Sequence, residues 1–270
     1  MKLFEHREFE QAMVRAAERF GVNEQFVEKD YYVTEILRIV ADRLGDKAMF
    51  KGGTSLSKGW GLIARFSEDI DLFVNPDRYD PRPGKNKMDR NLKELSEAVA
   101  EHPALTWLTH EGRTLGGLGR EDYFAYRSHF AELPGIRSVV RLEPGIQSGT
   151  FPSEVVPITS LVGQFLQEEG AGELADDLVG FDMTLLHFRR TFVEKMFAIS
   201  RKSRAPRSRG GPSRPRRAPL RRPLRPSRDP QGANHAGVAR IHGDPPRLRR
   251  QEPRVLREHL PSSRGVVLRC

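Results

Sequence analysis

The chain has 270 residues, of which 37% are hydrophobic and 30% are charged, and its formal net charge is +9. This composition leaves room for a sizeable core in one large or two small domains, while no apolar run is long enough for a membrane helix or a signal peptide. The single cysteine, Cys270, excludes an internal disulfide framework and a cysteine metal site, and we expect a soluble, cytoplasmic protein with no membrane partner.

The N-terminal part of the chain is predicted to be helical. Apolar residues at helical spacing indicate a helix over 5–20, which Gly21 ends. Asn23 is suited to be the N-cap of a second helix over 24–44. A short strand over 48–50 follows. A glycine pair with hydroxyl residues then leads into a short helix over about 55–62.

The middle of the chain mixes strands and helices. Apolar alternation predicts a strand over 66–74, which a loop rich in Pro, Asp and Gly separates from a helix over 87–101. The later elements are strands over 122–130 and 137–143, a helical or mixed stretch over 158–169, a strand over 178–188 and a helix that begins at 190. This mixture indicates an α/β or α+β fold.

The last 70 residues differ in composition from the rest. Residues 201–270 hold 20 basic and 4 acidic residues, 11 prolines and no aromatic residue. The other 25 basic and 32 acidic residues lie in 1–200, which therefore has a net charge of −7. A segment that can bury so little apolar surface is expected to be disordered. Three interpretations stay open: a basic arm that binds RNA, an inert solvated tail, or an out-of-frame translation of GC-rich DNA.

A glycine pair follows the first predicted strand. Gly52 and Gly53 precede Thr54 and Ser55, and glycines at such a turn let backbone N–H groups approach a phosphate chain. The same pattern also occurs in tight turns without a ligand.

Two carboxylates follow within the next strand. The period of two places Asp69 and Asp71 on one face with their Cβ atoms about 7 Å apart, while Ile70 and Leu72 point into the core. Adjacent carboxylates repel each other, and a divalent cation such as Mg²⁺ relieves that repulsion. The alternative for an isolated pair is a solvated strand end.

A third acid stands at the end of a later strand. If the strand that ends at Glu143 pairs beside Asp69–Val74, Glu143 could be the third metal ligand or the base that accepts the proton of an attacking hydroxyl. The alternative is a salt bridge to Arg141.

The arrangement resembles the nucleotidyltransferases of the DNA polymerase β superfamily and, more narrowly, the AbiEii toxin family, which includes the MenT-type tRNA-modifying toxins. The matching segments are EKDYYV (28–33), FKGGTSLSK (50–58), RFSEDIDL (65–72), RLE (141–143) and RTFVEK (190–195). The resemblance spans about 5–200 and implies a polymerase-β-like core with N-terminal helices over 1–180, the start of a helical C-terminal lobe over 181–200, and a disordered or out-of-frame tail over 201–270.

The resemblance also implies roles for individual residues. Gly52 and the following Gly53, Thr54 and Ser55 would hold the triphosphate of an NTP, with Lys58 as a cationic partner. Asp69 and Asp71 would hold Mg²⁺, and Lys195 would contact the nucleotide phosphates. For Lys195 the alternative is a solvated lysine paired with Glu194, and for Lys29 and Asp30, on the second helix, it is a surface ion pair.

The resemblance implies a Mg²⁺-dependent transfer of NMP from an NTP to an acceptor hydroxyl, with the 3′ end of tRNA as the expected acceptor and a separate antitoxin protein as partner. Nucleotidylation of a protein side chain is the alternative reaction. In the family, further helices with another aspartate follow the lysine helix, and here the Arg/Pro-rich tail stands in their place. A catalytically inactive remnant therefore also stays open, and apolar residues over 190–199 are expected to lack partners.

Overall fold

A computed structural model of the protein describes residues 1–63, 69–131 and 133–204. The chain divides into the units Met1–Arg209 and Gly210–Cys270, of which the second lies outside the described residues. The tail from 205 onwards and the predicted start of a strand at 66–68 also lie outside them.

The two N-terminal helices form where the sequence predicts them. The first, α1 (Phe9–Phe20), begins later than expected because Leu3–Glu5 forms a separate 3-10 turn, and it ends at Gly21, whose φ is 64°. The second, α2 (Glu24–Leu44), is capped by Asn23, whose side chain accepts a hydrogen bond of 2.9 Å from the backbone N–H of Gln25.

Eight strands form the sheet, in the order β3-β5-β6-β2-β1-β8-β7 with β4 paired to β5. Their bounds are β1 Ala48–Lys51, β2 Asp69–Val74, β3 Thr106–Trp107, β4 Arg113–Thr114, β5 Arg120–Ala125, β6 Val139–Gly145, β7 Ser153–Ile158 and β8 Phe181–Leu186. The pairs β2–β6 and β1–β8 are parallel and the other pairs are antiparallel. Strands β3, β4 and β7 were not predicted from the sequence.

Three further helices lie between strands, α3 Gly52–Lys58, α4 Lys85–Ala100 and α5 Leu161–Glu168, and a fourth, α6 Phe188–Arg204, follows β8. Helix α3 begins three residues earlier than predicted because the chain turns directly from β1 into the helix at Gly52, whose φ is 78°. As expected, α6 leaves apolar side chains exposed, with Phe192 60% and Phe197 64% accessible.

The core lies on one face of the sheet, where α1, α2 and α5 pack. Ile70 and Leu72 of β2 are fully buried there, in one cluster with Tyr31 and Ile36 of α2. Residues that alternate with these, such as Asp71, therefore point to the opposite face. Within the described ranges, no helix is both long and apolar enough to cross a membrane.

Candidate active site

Three neighbouring strands align two acidic residues and one basic residue in a row. Lys51 of β1 pairs with Asp71 of β2, which in turn pairs with Glu143 of β6. Residues directly opposite each other on paired strands project to the same face. The structure therefore confirms that the strand ending at Glu143 lies beside β2, and it brings both carboxylates to the face opposite the core.

Asp69 lies on the same face, two residues before Asp71, and is bound by an arginine. Arg141 Nε and Nη2 donate to the two carboxylate oxygens of Asp69 at 2.9 and 2.6 Å, and Nε lies 2.8 Å from Glu143 Oε1. The bidentate bond to Asp69 raises the pKa of Arg141. Glu143 therefore both lies beside Asp71 and forms the salt bridge with Arg141, whose guanidinium joins Asp69 to Glu143.

The negative charges of the other two carboxylates, Asp71 and Glu143, are only partly balanced by nearby basic residues. Burial raises the pKa of Asp71 and outweighs Lys51, whose charge lowers it, while the charge of Asp69 raises it further. Burial and the charge of Asp71 likewise raise the pKa of Glu143. A cation on this face would favour the ionised form of both groups.

The donor set suits Mg²⁺, which prefers oxygen ligands and is often held by one or two carboxylates together with substrate phosphates. Asp69 and Asp71 supply such a pair. Among the described residues, no group of three or more His, Cys, Asp or Glu side chains is placed to hold a metal ion by itself. A site built on this pair would thus draw its other ligands from substrate and water.

The glycine turn lies directly against one of these carboxylates. A Cβ atom on Gly52 would come within 2.0 Å of Asp71 Oδ2, and the φ of +78° is one that side chains disfavour. Gly53 follows in the first turn of α3. The predicted phosphate-binding turn and the predicted metal ligands are therefore neighbours.

The hydroxyl groups after the glycines hold this turn in place. Thr54 Oγ1 donates to the backbone oxygen of Asp69 at 2.5 Å, and Ser55 Oγ donates to that of Gly52 at 2.9 Å. Both residues are buried. The Thr54 bond thus fixes α3 against β2, and the Ser55 bond lies within the first turn of α3.

The structure does not bring Lys58 to this face as a free cation. Its ammonium is buried and lies 2.7 Å from Asp30 Oδ1, and it also donates to the backbone oxygen of Thr159 at 3.1 Å. The role of Lys58 as a phosphate partner stays a prediction, and in this structure its charge is paired with Asp30. The surface ion pair considered for Lys29 and Asp30 is wrong, since both residues are buried and Lys29 donates to the backbone oxygen of Arg137.

Lys195 on α6 is exposed, and its charge is one of those that lower the pKa of Asp71. Its neighbour Glu194 is paired instead with Arg190, at 3.0 Å. The ion pair with Glu194 that was considered for Lys195 is therefore not formed.

Two basic residues of the site, Lys51 and Arg141, were not assigned a role from the sequence. Lys51 directly follows the buried residues of β1, but its place beside Asp71 depends on the register between β1 and β2, which the sequence does not show. Arg141 was considered only as an alternative partner of Glu143, and nothing in the sequence indicates its bidentate contact with Asp69.

The sequence and the structure of the chain are both similar to those of known proteins. The sequence model of the family described as nucleotidyl transferase AbiEii toxin, type IV toxin–antitoxin system, matches residues 35–216. Among solved structures, the chain is similar to MenT4, a nucleotidyltransferase toxin from Mycobacterium tuberculosis H37Rv, with 19% identity and a TM-score of 0.46. That match covers 68% of this chain and 57% of MenT4. No curated protein matches the chain in sequence.

Proposed function

Because the chain belongs to the AbiEii nucleotidyltransferase toxin family, we propose that it transfers a nucleoside monophosphate from an NTP to an acceptor hydroxyl with the help of Mg²⁺. It would act as the toxin of a toxin–antitoxin pair, with a separate antitoxin protein as its partner. The observation that carries this proposal is the row of Asp71 and Glu143 beside Asp69, with the turn at Gly52 against Asp71.

The reaction forms one bond and breaks one. The acceptor oxygen bonds to the α-phosphorus of the NTP, the bond from that phosphorus to the bridging oxygen breaks, and pyrophosphate leaves. The acceptor proton would pass to Glu143, because burial raises the pKa of this carboxylate and so makes it a stronger proton acceptor.

Each residue of the site has a distinct proposed role. Asp69 and Asp71 would hold Mg²⁺, which when bound neutralises negative charge on the phosphates. The backbone at Gly52 and Gly53 would face the triphosphate. Lys195 would contribute a further positive charge. Thr54 and Ser55 would also hold the triphosphate, through their backbone N–H groups, while their hydroxyls donate to backbone oxygens and support the turn.

The ion pairs of Arg141 imply an exchange of partners. In the described structure Arg141 satisfies both oxygens of Asp69. To bind a metal, Asp69 would have to turn at least one oxygen away from the guanidinium, which can keep its contact with Glu143. The arginine would thus act as the counterion of the carboxylates before substrate arrives.

The acceptor that we propose is the 3′ end of a tRNA. The alternative is a protein side chain, and the net charge of −7 over residues 1–200 favours it, because a negative surface does not attract RNA. The same transfer chemistry serves both acceptors.

The test is transfer of each α-labelled NTP to a mixture of total tRNA and cell protein in the presence of Mg²⁺. We expect label on tRNA, and at least about a 100-fold loss in Asp69→Asn and Asp71→Asn, because each removes a charge that faces the reacting phosphate. Asp42→Asn, which changes an exposed aspartate of α2, serves as the matched control and should transfer normally.

The other outcomes separate the alternatives. Label on protein would identify the alternative acceptor. Retained transfer in folded Asp69→Asn or Asp71→Asn would refute the metal-ligand assignment. No label from a folded chain would identify an inactive remnant.

A further inference from the structure

The carboxylate face continues along β1 and β2 into a cavity of about 300 Å³. Met49 and Phe73, which line it, are paired with each other and stand two residues from Lys51 and Asp71 on their strands. At about 3.3 Å per residue, the cavity begins about 7 Å from Asp71.

The far wall of the cavity lies on the same face. Phe50 pairs with Leu185, so Thr184 projects to the side of Met49. Ser153 pairs with Leu186, whose side chain joins Met49 and Phe73 in one buried cluster. The residues that line the cavity therefore lie on the same face of the sheet as the carboxylate row.

The cavity is lined by apolar, uncharged polar and charged residues. Its floor is Met49 and Phe73, and its wall carries the hydroxyls of Ser153 and Thr184. At its rim stands Phe151, which is 74% exposed. An exposed aromatic ring beside hydroxyl groups is the combination that stacks a base and hydrogen-bonds a ribose.

The two acidic and two basic residues that line the cavity cancel each other in formal charge: Asp46, Asp77, Lys47 and Arg78. Arg78 lies 3.1 Å from Asp46, and the Lys47 ammonium lies over the ring of Tyr79 at 5.0 Å. A polyphosphate would find little net positive charge here. The lining therefore fits the nucleoside part of a ligand better than its phosphates.

The direction of the reaction decides which nucleotide occupies the cavity, and this step rests on the proposed function. The triphosphate would lie at Gly52, where β1 ends, and the cavity lies toward the opposite end of β1, beyond Met49. Attacking and leaving oxygens lie roughly in line at a transferred phosphoryl group. With pyrophosphate leaving toward Gly52, the attacking hydroxyl approaches from the side of the cavity.

We propose that this cavity binds the terminal nucleotide of a single-stranded RNA acceptor, with its base stacked on Phe151 and its ribose near Ser153 and Thr184. The geometry places that nucleotide so that its 3′ hydroxyl reaches the space above Asp71. The nucleobase of the NTP would then lie outside the cavity.

The first test is steady-state transfer to tRNA by the full chain. Phe151→Ala should raise the KM for tRNA about 10-fold, as expected for the loss of one stacked base, and leave the KM for the NTP unchanged. Phe151→Tyr keeps the ring and should restore the KM. Val179→Ala, which shortens another exposed apolar residue, is the control and should have no effect.

A second test does not depend on turnover. Binding of a 5′-labelled three-nucleotide RNA with a free 3′ hydroxyl is measured by fluorescence anisotropy at high salt, which weakens contacts with the basic tail. We expect Phe151→Ala to weaken binding about 10-fold and Val179→Ala to leave it unchanged. This result would support the cavity even if the chain failed to transfer label.

The cavity assignment would be overturned by a rise in the KM for the NTP alone, which would place the donor base in the cavity. Equal RNA binding by Phe151→Ala and the unmodified chain would overturn it as well. A chain that transfers label normally but shows either result would retain the proposed function and lose only this site.

Discussion

Gly52 and Asp71 fit together only because Gly52 has no side chain. A Cβ atom there would overlap Asp71 Oδ2 at 2.0 Å, and the positive φ adds strain. We expect Gly52→Ala to lose about 1–2 kcal/mol of stability from the backbone alone and to lose at least about 10-fold in transfer, because Asp71 must move.

Gly21→Ala separates these two effects. Gly21 also has a positive φ, of 64°, but nothing lies within 4 Å of the position of its Cβ. This variant should lose similar stability in urea unfolding and transfer label normally. Normal transfer by Gly52→Ala would show that the close contact with Asp71 has no part in the reaction.

The residues of the site differ in how far the sequence alone predicts them. Asp69, Asp71 and Glu143 follow from strand alternation and were predicted. The burial of Lys58 could not be predicted, because it depends on Asp30, which is 28 residues earlier in the chain. The role of Lys51 depends on its antiparallel partner, Asp71, and register is a tertiary property.

At the scale of elements, the ion pair of Asp30 and Lys58 joins α2 to α3. The Leu161 N–H donates to Asp30 Oδ2 at 2.8 Å, so Asp30 also joins α2 to α5. Asp30→Asn leaves the Lys58 ammonium buried without a counterion. We expect a loss of about 3–5 kcal/mol in the free energy of unfolding, measured in urea. The double variant Asp30→Asn/Lys58→Met should regain part of it.

A surface pair gives the matched comparison. Arg43 and Glu101 lie 2.9 Å apart with both side chains more than half exposed. Glu101→Gln should therefore cost less than about 1 kcal/mol. An equal effect of Asp30→Asn and Glu101→Gln would contradict the structural role of the buried pair.

Glu35 makes the stability of the helical layer depend on pH. Burial raises its pKa, but the contact with His102, the hydrogen bond from Lys2 and the charge of Arg38 lower it overall below the usual 4.5. A carboxylate with a lowered folded-state pKa stabilises the protein above its unfolded pKa, and that contribution is lost as pH falls through the folded value.

Urea unfolding of Glu35→Gln at pH 7 and at lower pH measures this contribution. The variant should be less stable than the parent at pH 7, and the difference should shrink below pH 4.5, the usual pKa of the group. A difference that stays constant with pH would contradict the lowered pKa.

Elements whose signals are local were predicted best. Helix α2 agrees with the prediction at both ends because its N-cap, Asn23, and its apolar period lie within its own sequence. Strands β3 and β4 have two residues each, and the edge strand β7 contains Pro157 and exposed residues. Their conformation depends on pairing with β5 and β8, which the sequence does not reveal.

At the scale of the whole molecule, the candidate active site and the excess of basic residues lie in different parts of the chain. The carboxylates and the cavity belong to the part with a net charge of −7, while the basic excess lies in 201–270. The boundaries predicted at 180 and 200 stay predictions. An acceptor recognised by the cavity would be bound through stacking and hydrogen bonds, whereas an acceptor recognised by the tail would be bound through its phosphates.

The central claim is that Asp71 and its neighbours support attack on the α-phosphate of an NTP. The most direct measurement is release of pyrophosphate from an NTP with tRNA and Mg²⁺, compared between the unmodified chain and Asp71→Asn of equal thermal stability. The account predicts pyrophosphate equal in amount to the label on tRNA, and almost none from Asp71→Asn. Release of orthophosphate instead, or equal pyrophosphate from both chains, would contradict it.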